Sequence, residues 1–492
     1  MTIATPDWVK HAVFYQIFPD SFARMVPQHQ QWLLDVPLQA WDAPPNVQEY
    51  KGGNLWGIIS QLDYLQDLGF TALYLTPVFQ SACNHRYHTH DYYQVDPLLG
   101  GNEALWSLRD ELHRRGMRLV LDGVFNHASR GFFQFNDILE QGPHSPWIHW
   151  FEVENWPLSA YDGSLPAHYK SWVDNRALPQ FNHRNPAVRE YLMRVGEYWI
   201  SQGMDGWRLD VPFCITEPGF WQEFRQRIKA VNPEAYITGE IFGDASAWLD
   251  GSQFDGVMNY PFGEATLAFV GGDRVQLQHL PQDGFRPTPP LDAAGYGDAI
   301  QTLLHRHPWT IQQTQLNLLD SHDVARVGSI LGGDRPSLIL ALILLMTFPG
   351  APCVFYGDEV GLMGVHEPDC RRGFPTPDQW DRSLQATYHT LIQVRHRLEA
   401  LRTGTYEVLL TDGLVYGFGR SLGDRGAIVV INGDTAAQSF RLDLSPLADI
   451  APGAWAGGAI AYGDENISGW DLQGSQITGT LAARSGLIYA TP

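Results

Sequence analysis

The chain has 492 residues, 44% hydrophobic and 18% charged, with 54 acidic against 33 basic side chains and a formal charge of −21. That length exceeds what one hydrophobic core usually organises, so a large domain with satellites is expected. The negative balance opposes binding to nucleic acid or anionic membranes and favours a neutral substrate.

At the N-terminus, MTIATPDWVKHAV has no basic segment followed by an apolar one, so no secretory leader is expected. Eight short segments rich in β-branched or aromatic residues then alternate with helical patterns. In chain order they are AVFYQIFP from Ala12, TALYLTPV from Thr71, RLVLDGVF from Arg118 and GWRLDVP from Gly206. AYITGEIF from Ala235, GVMNYPF from Gly256, TQLNLLDSHD from Thr314 and PCVFYGDE from Pro352 follow. Near-continuous apolar character is what parallel strands need when both faces are covered. Between them, NEALWSLRDELHRRG puts Leu105, Leu108 and Leu112 on one helical face, with Gly116 as a stop. The run from Leu338 to Phe348 is too short to span a bilayer and reads as a buried helix ending at Pro349–Gly350. SLQATYHTLIQVRHRLEALRTG is a further amphipathic stretch, carrying Leu384, Tyr388, Leu391 and Leu398.

This alternation predicts an α/β fold, a (β/α)₈ TIM barrel over residues 1–127 and 178–403, in preference to a doubly wound sheet. Residues 128–177 form an expected inserted subdomain after the third strand, rich in Trp, Pro and His (PHSPWIHWFEVENWPL). After Gly404 the helical signal stops. YEVLL, LVYGFGRS, GAIVVING and SFRLDL, separated by short turns, predict a C-terminal antiparallel β-sandwich over residues 404–492. Cys83, Cys214, Cys353 and Cys370 form no CxxC pair, which argues against a disulfide framework and for a reduced, cytoplasmic protein.

In a TIM barrel, functional groups sit at the C-terminal ends of the strands. Those ends read DGVFNH (Asp122 to His127), GWRLDVP with Arg208 and Asp210, GEIF with Glu240, and LLDSHD with His322 and Asp323. A single Asp at a strand end is ordinarily a helix cap or a surface charge. Carboxylates delivered by several strand ends into one mouth are what glycoside hydrolysis needs, because one attacks the anomeric carbon while another protonates the leaving oxygen. The acid must keep its proton near neutrality, which burial and neighbouring like charges provide. The 17 Trp, 20 Tyr and 24 Phe add flat faces of the kind sugar clefts use.

These four segments resemble the four short sequence regions of the α-amylase family of glycoside hydrolases. The similarity takes in DASAWLDGSQFDGVMNYPF and YGDEVGL and runs from about Ala12 into the last domain. The resemblance implies Asp210 as nucleophile, Arg208 as the guanidinium that orients it, Glu240 as general acid/base, and Asp323 as the third carboxylate, binding sugar hydroxyls. It implies His127 and His322 as sugar-binding histidines, and His85 with the stacking Tyr87 from NHRYHTHDY in the same role. Asp122 and Asn126 correspond to supporting members of the first region, for which a structural role is as well founded as a direct one.

Within the family, GEIFGDASAWL and EPDCRRGFP are similar to segments of the cyclomaltodextrinase, neopullulanase and maltogenic amylase subgroup. Glu367, Asp369 and Arg371 are thereby candidates for gripping the sugar next to the cleavage site. Phe242 stands where the subgroup has Trp after the acid, and Gln180, in LPQFN, where it has Lys, so acceptor preference is expected to differ. The implied activity is retaining cleavage of α-1,4 and α-1,6 glucosidic bonds in cyclodextrins, maltooligosaccharides, pullulan or branched glucans. A debranching enzyme of α-1,6 specificity and a transglycosylase of the same family are the alternatives. A catalytically inactive scaffold is disfavoured by the presence of all three carboxylates. The partner is expected to be a neutral α-glucan, with no nucleic acid and no membrane. The chain begins at the first barrel strand, so the subgroup's dimer through an N-terminal domain is not expected. No cofactor or metal ligand is assigned. A tight calcium site is not expected, since Cys214 stands four residues after Asp210, where oxygen is wanted, and ARMVPQHQ (Ala23 to Gln30) has no carboxylate or Asn.

Overall fold

The computed structural model describes residues 3–281 and 284–492. Ten strands precede the C-terminal domain: β1 (Phe14–Ile17), β2 (Ala72–Leu75), β3 (Phe79–Ser81), β4 (Thr89–Val95) and β5 (Arg118–Gly123), then β6 (Gly206–Leu209), β7 (Tyr236–Gly239), β8 (Gly256–Asn259), β9 (Leu316–Asn317) and β10 (Ala351–Phe355). All but β3 and β4 close into a barrel of order β1-β10-β9-β8-β7-β6-β5-β2, parallel throughout. Each expected strand segment supplies one stave, buried along its length apart from Arg118. Close packing at β6 requires Gly206, because a Cβ there would fall 2.4 Å from the carbonyl oxygen of Tyr236 on β7. The register pairs Asp122 with Arg208, which sets both at one height in the mouth.

β3 and β4 form an antiparallel hairpin between the second stave and the helix Gly101–Arg114. Nothing in the strand pattern anticipates it, since β4 (THDYYQV) mixes buried and half-exposed polar positions. NHRYHTHDY spans its tip and runs into β4. The buried helix is Arg335–Thr347, ending before Pro349–Gly350 as expected. The stretch from Ser383 to Gly404, by contrast, is two helices, Arg382–Arg397 and Glu399–Thr403, broken at an extended Leu398. Buried Arg395 donates to the carbonyls of Met346, Phe348 and Leu401, so the second helix folds back onto the first one's end.

In the insert, a helix (Phe133–Gln141) and short turns are fastened by aromatic packing of Phe135 and Phe181 on Phe151 and of Trp150 on Tyr191. The C-terminal domain has eight strands, four more than the pattern predicts. β11 (Glu407–Asp412), β12 (Val415–Leu422), β13 (Arg425–Asn432), β15 (Ala459–Tyr462) and β18 (Ser485–Ala490) make one sheet; β14 (Gln438–Asp443), β16 (Ile467–Gln473) and β17 (Gln476–Leu481) make the other. A core that includes Val430, Phe440, Leu442, Ile477 and Leu487 lies between them. Strands β16 and β17 interleave polar residues with apolar ones and show no apolar run, and β15 (AIAY) is too short to stand out. Arg420 of β12 joins the domain to the barrel, donating to the carbonyls of Thr347, Leu401 and Gly404. Among the described residues, no helix is long and apolar enough to cross a membrane.

Candidate active site

Arg208, fully buried on β6, organises the barrel mouth. Its Nη1 donates to both oxygens of Asp122 (3.1 and 2.9 Å) and to Asp210 Oδ1 (3.2 Å). Nη2 lies 2.8 Å from Glu240 Oε1 without the alignment of a hydrogen bond, and 3.8 Å from Asp323 Oδ2. Three strand ends and the loop after β9 therefore bring four carboxyl groups to one guanidinium. Asp122 is held from the far side by the hydroxyls of Tyr74 (2.7 Å) and Tyr87 (3.1 Å), which donate to it. Val211, directly after Asp210, adopts a left-handed conformation (φ 36°, ψ 50°), a strained state for a β-branched residue. Its backbone N–H thereby donates to Glu240 Oε2 at 3.1 Å.

Arg208 is the one cation that reaches all four carboxyl groups, of which Asp122, Asp210 and Glu240 are buried. Among the four, Arg371 adds charge only at Asp323, so the set is short of positive charge. Burial pushes Glu240 up to about 7, against the pull of Arg208. Burial, then the charge of Glu240, also raises Asp210. Burial works in the same direction at Asp323, but His322, Arg371 and Arg208 outweigh it and hold that carboxyl below its usual value. The cluster thus keeps a proton near neutrality. Glu240, which lacks an aligned bond to Arg208, is the place for it; Asp210 has one. A proton donor beside an oriented carboxylate is the chemistry of retaining glycoside hydrolysis.

The Alpha amylase catalytic-domain family matches residues 16–390. The chain belongs to the α-amylase family of glycoside hydrolases. It is 39% identical over 440 residues to a cyclomaltodextrinase from a Bacillus species, covering 89% of this chain and 75% of that one. Among solved structures it resembles the debranching enzyme from Nostoc punctiforme (TM-score 0.92, 55% identity, both chains covered completely). It also resembles the cyclic α-maltosyl-(1→6)-maltose hydrolase of Arthrobacter globiformis (TM-score 0.86, 33% identity, 99% of this chain and 100% of that one).

Most of the sugar-binding positions implied by the family's motifs converge on this mouth. His322 accepts from Gln16 Nε2 at Nδ1 (2.7 Å), which leaves Nε2 to face Asp323 (3.2 Å) and the Tyr87 hydroxyl. Burial lowers His322 to about 3, so it is neutral. His127, lowered to the same value by burial, takes Asn126 Nδ2 at Nδ1 (3.2 Å), and its buried Nε2 has no partner in the protein. His85 stacks on Tyr87, with ring centroids 5.7 Å apart. Arg371 donates to Asp323 Oδ1 (3.3 Å) and to the carbonyl of His322 (2.9 Å), and pairs with Glu367 (2.9 Å).

Two candidates sit differently from their expected roles. Asp369 accepts from Val365 N (2.8 Å) and from Arg372 (2.8–3.0 Å), so its carboxylate braces its own loop rather than joining Arg371 at the mouth. Phe242 has one face stacked on Tyr260 (4.1 Å, 11°), which leaves only its other face for a ligand. The insert's contribution also lies elsewhere than the Trp-rich run. Trp147 packs on Trp150 and Trp150 on Tyr191, whereas Trp172 stacks on His127 at 5.7 Å. Trp172 was not legible because nothing local marks it as facing His127. A further grouping that sequence reading missed is Cys83, His85 and His88, whose C-x-H-x-x-H spacing was the available signal.

Proposed function

We propose that this protein is a retaining hydrolase of short branched and cyclic α-glucans, with α-1,6 linkages preferred to those of long linear chains. The observation that carries the chemistry is the pair of carboxyl groups on Arg208, with Glu240 pushed up to about 7. Asp210 attacks the anomeric carbon while Glu240 gives its proton to the leaving glycosidic oxygen, forming a glycosyl-enzyme ester. Glu240, now a carboxylate, takes a proton from water, whose oxygen displaces Asp210 from the same carbon. The unpartnered Nε2 of His127, with the Nδ1 acceptor role met by Asn126, is a donor awaiting a sugar hydroxyl. Asp323, held ionised by Arg371, accepts from others.

The linkage preference is supported by the complete mutual coverage with the Nostoc debranching enzyme and by the likeness to a hydrolase of an α-(1→6)-linked ring. A cyclodextrin-first, α-1,4 specificity is the second reading, favoured by the similarity to the Bacillus cyclomaltodextrinase. The test is relative kcat/KM on a 6-branched maltooligosaccharide, a cyclodextrin and amylose at matched glucose units. Amylose ahead by about tenfold, some 1.4 kcal/mol of transition-state binding, overturns both readings. Added glucose in the same assay distinguishes transfer to sugar from hydrolysis. We also assign the protein to the cytoplasm, with a neutral glucan as partner. No tight calcium is part of this reading: Cys214 offers sulfur, and the one amide oxygen of Asn126 falls short of the six to eight oxygens calcium takes. A chelator that lowers Tm by many degrees would refute that assignment.

A further inference from the structure

The hairpin tip between β3 and β4 brings together a thiol and two imidazoles. Cys83 Sγ and one ring nitrogen each from His85 and His88 all lie within 4.8 Å of one another. Cys83 Sγ and His85 Nδ1 are 3.5 Å apart. A tetrahedral zinc ion with bonds of about 2.3 Å to sulfur and 2.0–2.1 Å to nitrogen separates S and N ligands by roughly 3.6 Å. One edge of the tetrahedron therefore already stands at its required length, and His88, within 4.8 Å of both partners, needs to close by up to about 1.5 Å to complete the face.

The backbone holds these groups in place. Between the ligands, Arg86 is fully buried in a left-handed conformation (φ 60°), with Nε donating to Asp96 at 3.1 Å. Asn84 donates to the carbonyls of Asn46 and Glu49. With 84 and 86 anchored inward, the neighbouring 83, 85 and 88 are gathered on one side. His85 Nδ1 carries a lone pair and no proton, since it accepts from the backbone N–H of Tyr87 (3.2 Å), a bond that a metal taking that lone pair would replace.

We propose that Cys83, His85 and His88 form a zinc site, and that its occupation inhibits the enzyme by breaking the hydrogen bond from the Tyr87 N–H to His85 Nδ1 that fixes Tyr87 at the mouth. A thiolate with two imidazoles suits a borderline-soft ion and not calcium or magnesium, which take oxygen. On binding, the Cys83 thiol gives its proton to solvent, and zinc takes the Nδ1 lone pair now shared with the Tyr87 N–H. Because Tyr87 stacks on His85 and meets Asp122 and His322, loss of its N–H bond to His85 is transmitted to the side of the mouth that holds the sugar. The inhibitory part rests on the function proposed above; the binding part does not.

Cobalt titration of the whole protein, without any glucan, reads the site directly. One equivalent is expected to bind with a thiolate-to-cobalt charge-transfer band. Zinc is then expected to inhibit hydrolysis of a branched maltooligosaccharide in proportion to occupancy. Cys83→Ser and His88→Asn, each checked for an unchanged Tm without metal, are expected to leave basal turnover intact, to weaken metal binding by about 100-fold, and to relieve inhibition to match. Absence of the band overturns the site. So does a band that survives Cys83→Ser and is lost instead in Cys214→Ser. Binding lost in both variants while zinc still inhibits them overturns the coupling to His85. If no α-glucan is hydrolysed at all, the proposed function fails while the cobalt band still stands for the metal site.

Discussion

Two of the buried arginine–carboxylate clusters among the described residues, those around Arg208 and Arg326, lie at barrel strand ends, and only the first has groups left over for a substrate. Arg208 faces Asp122, Asp210 and Glu240, with Asp323 close by. Arg326 donates to Asp358 (2.8 Å) and to the carbonyls of Tyr356 and Cys370, between the rings of Phe355 and Tyr356. Asp320 accepts from the N–H of Val327 (2.6 Å), and Glu359 from Tyr15 (2.9 Å) and Tyr64 (2.7 Å). Burial raises Asp358 well above its ordinary value, with the charge of Asp320 next, just as burial raises Asp210 and Glu240. Perturbed acidity by itself therefore does not mark the active site. Access does: the Asp323 side chain is 23% exposed and that of Asp358 only 4%. One cluster has turned its acceptors toward a cleft, and the other has spent them on the fold.

Substitutions at matching positions separate the two roles. Asp210→Asn is expected to lower kcat/KM on maltooligosaccharides by about 10⁴-fold or more, with Tm not reduced. Asp320→Asn should instead lower Tm and leave the chemistry of the folded enzyme in place. Near-wild-type activity in Asp210→Asn would remove the nucleophile assignment.

Glu240→Gln should cost about 10²–10⁴-fold on unactivated sugars, and much less on aryl glycosides whose leaving group needs no proton. The wild-type rate is expected to fall as pH rises through about 7, because the acid form is consumed, and the variant should lack that limb. The sign for stability is the same. A carboxyl group whose folded value lies above its unfolded one binds more protons folded, so it loses stability as pH rises from about 4.5 to 7. Glu240→Gln should accordingly gain stability over wild type above pH 7, by an amount on the order of a few kcal/mol. A pH-rate profile and melting curves at pH 5 and 8 check both.

Arg326→Met should destabilise by about 3–5 kcal/mol in denaturant, since it strands buried carboxyl groups, while kcat/KM of the folded fraction changes little. The smallest contrast is between two tyrosines. Tyr87→Phe removes a donor to Asp122 and is expected to cost about tenfold in kcat/KM, while Tyr64→Phe removes one from Glu359 and should cost about 1 kcal/mol of stability with activity unchanged. If the two variants behave alike, the division between the clusters fails.

The sequence by itself determined the eight staves, the buried helix before Pro349, and the carboxylates at the strand ends. Each rests on a local pattern: apolar runs bounded by turns, and a functional side chain at the end of a run, where barrel geometry exposes it. The all-β character of the last domain was legible for the same reason, but β15 to β18 were not: β17 buries alternate positions of a largely polar segment, β16 interleaves polar residues with apolar ones, and β15 (AIAY) and β18 (SGLIYA) are short apolar segments that no strong turn pattern singles out. Only the tertiary structure decided which charges are free. It turned Asp369 to Arg372, pressed one face of Phe242 onto Tyr260, brought Trp172 against His127, and broke the helix at Leu398 to suit Arg395. It also gave two similar sets of carboxylates opposite uses, one in Arg208's mouth and one around Arg326. Neighbours remote in sequence set those outcomes by taking up or leaving open the hydrogen-bonding capacity of each group, and that accounting exists only once the chain is folded.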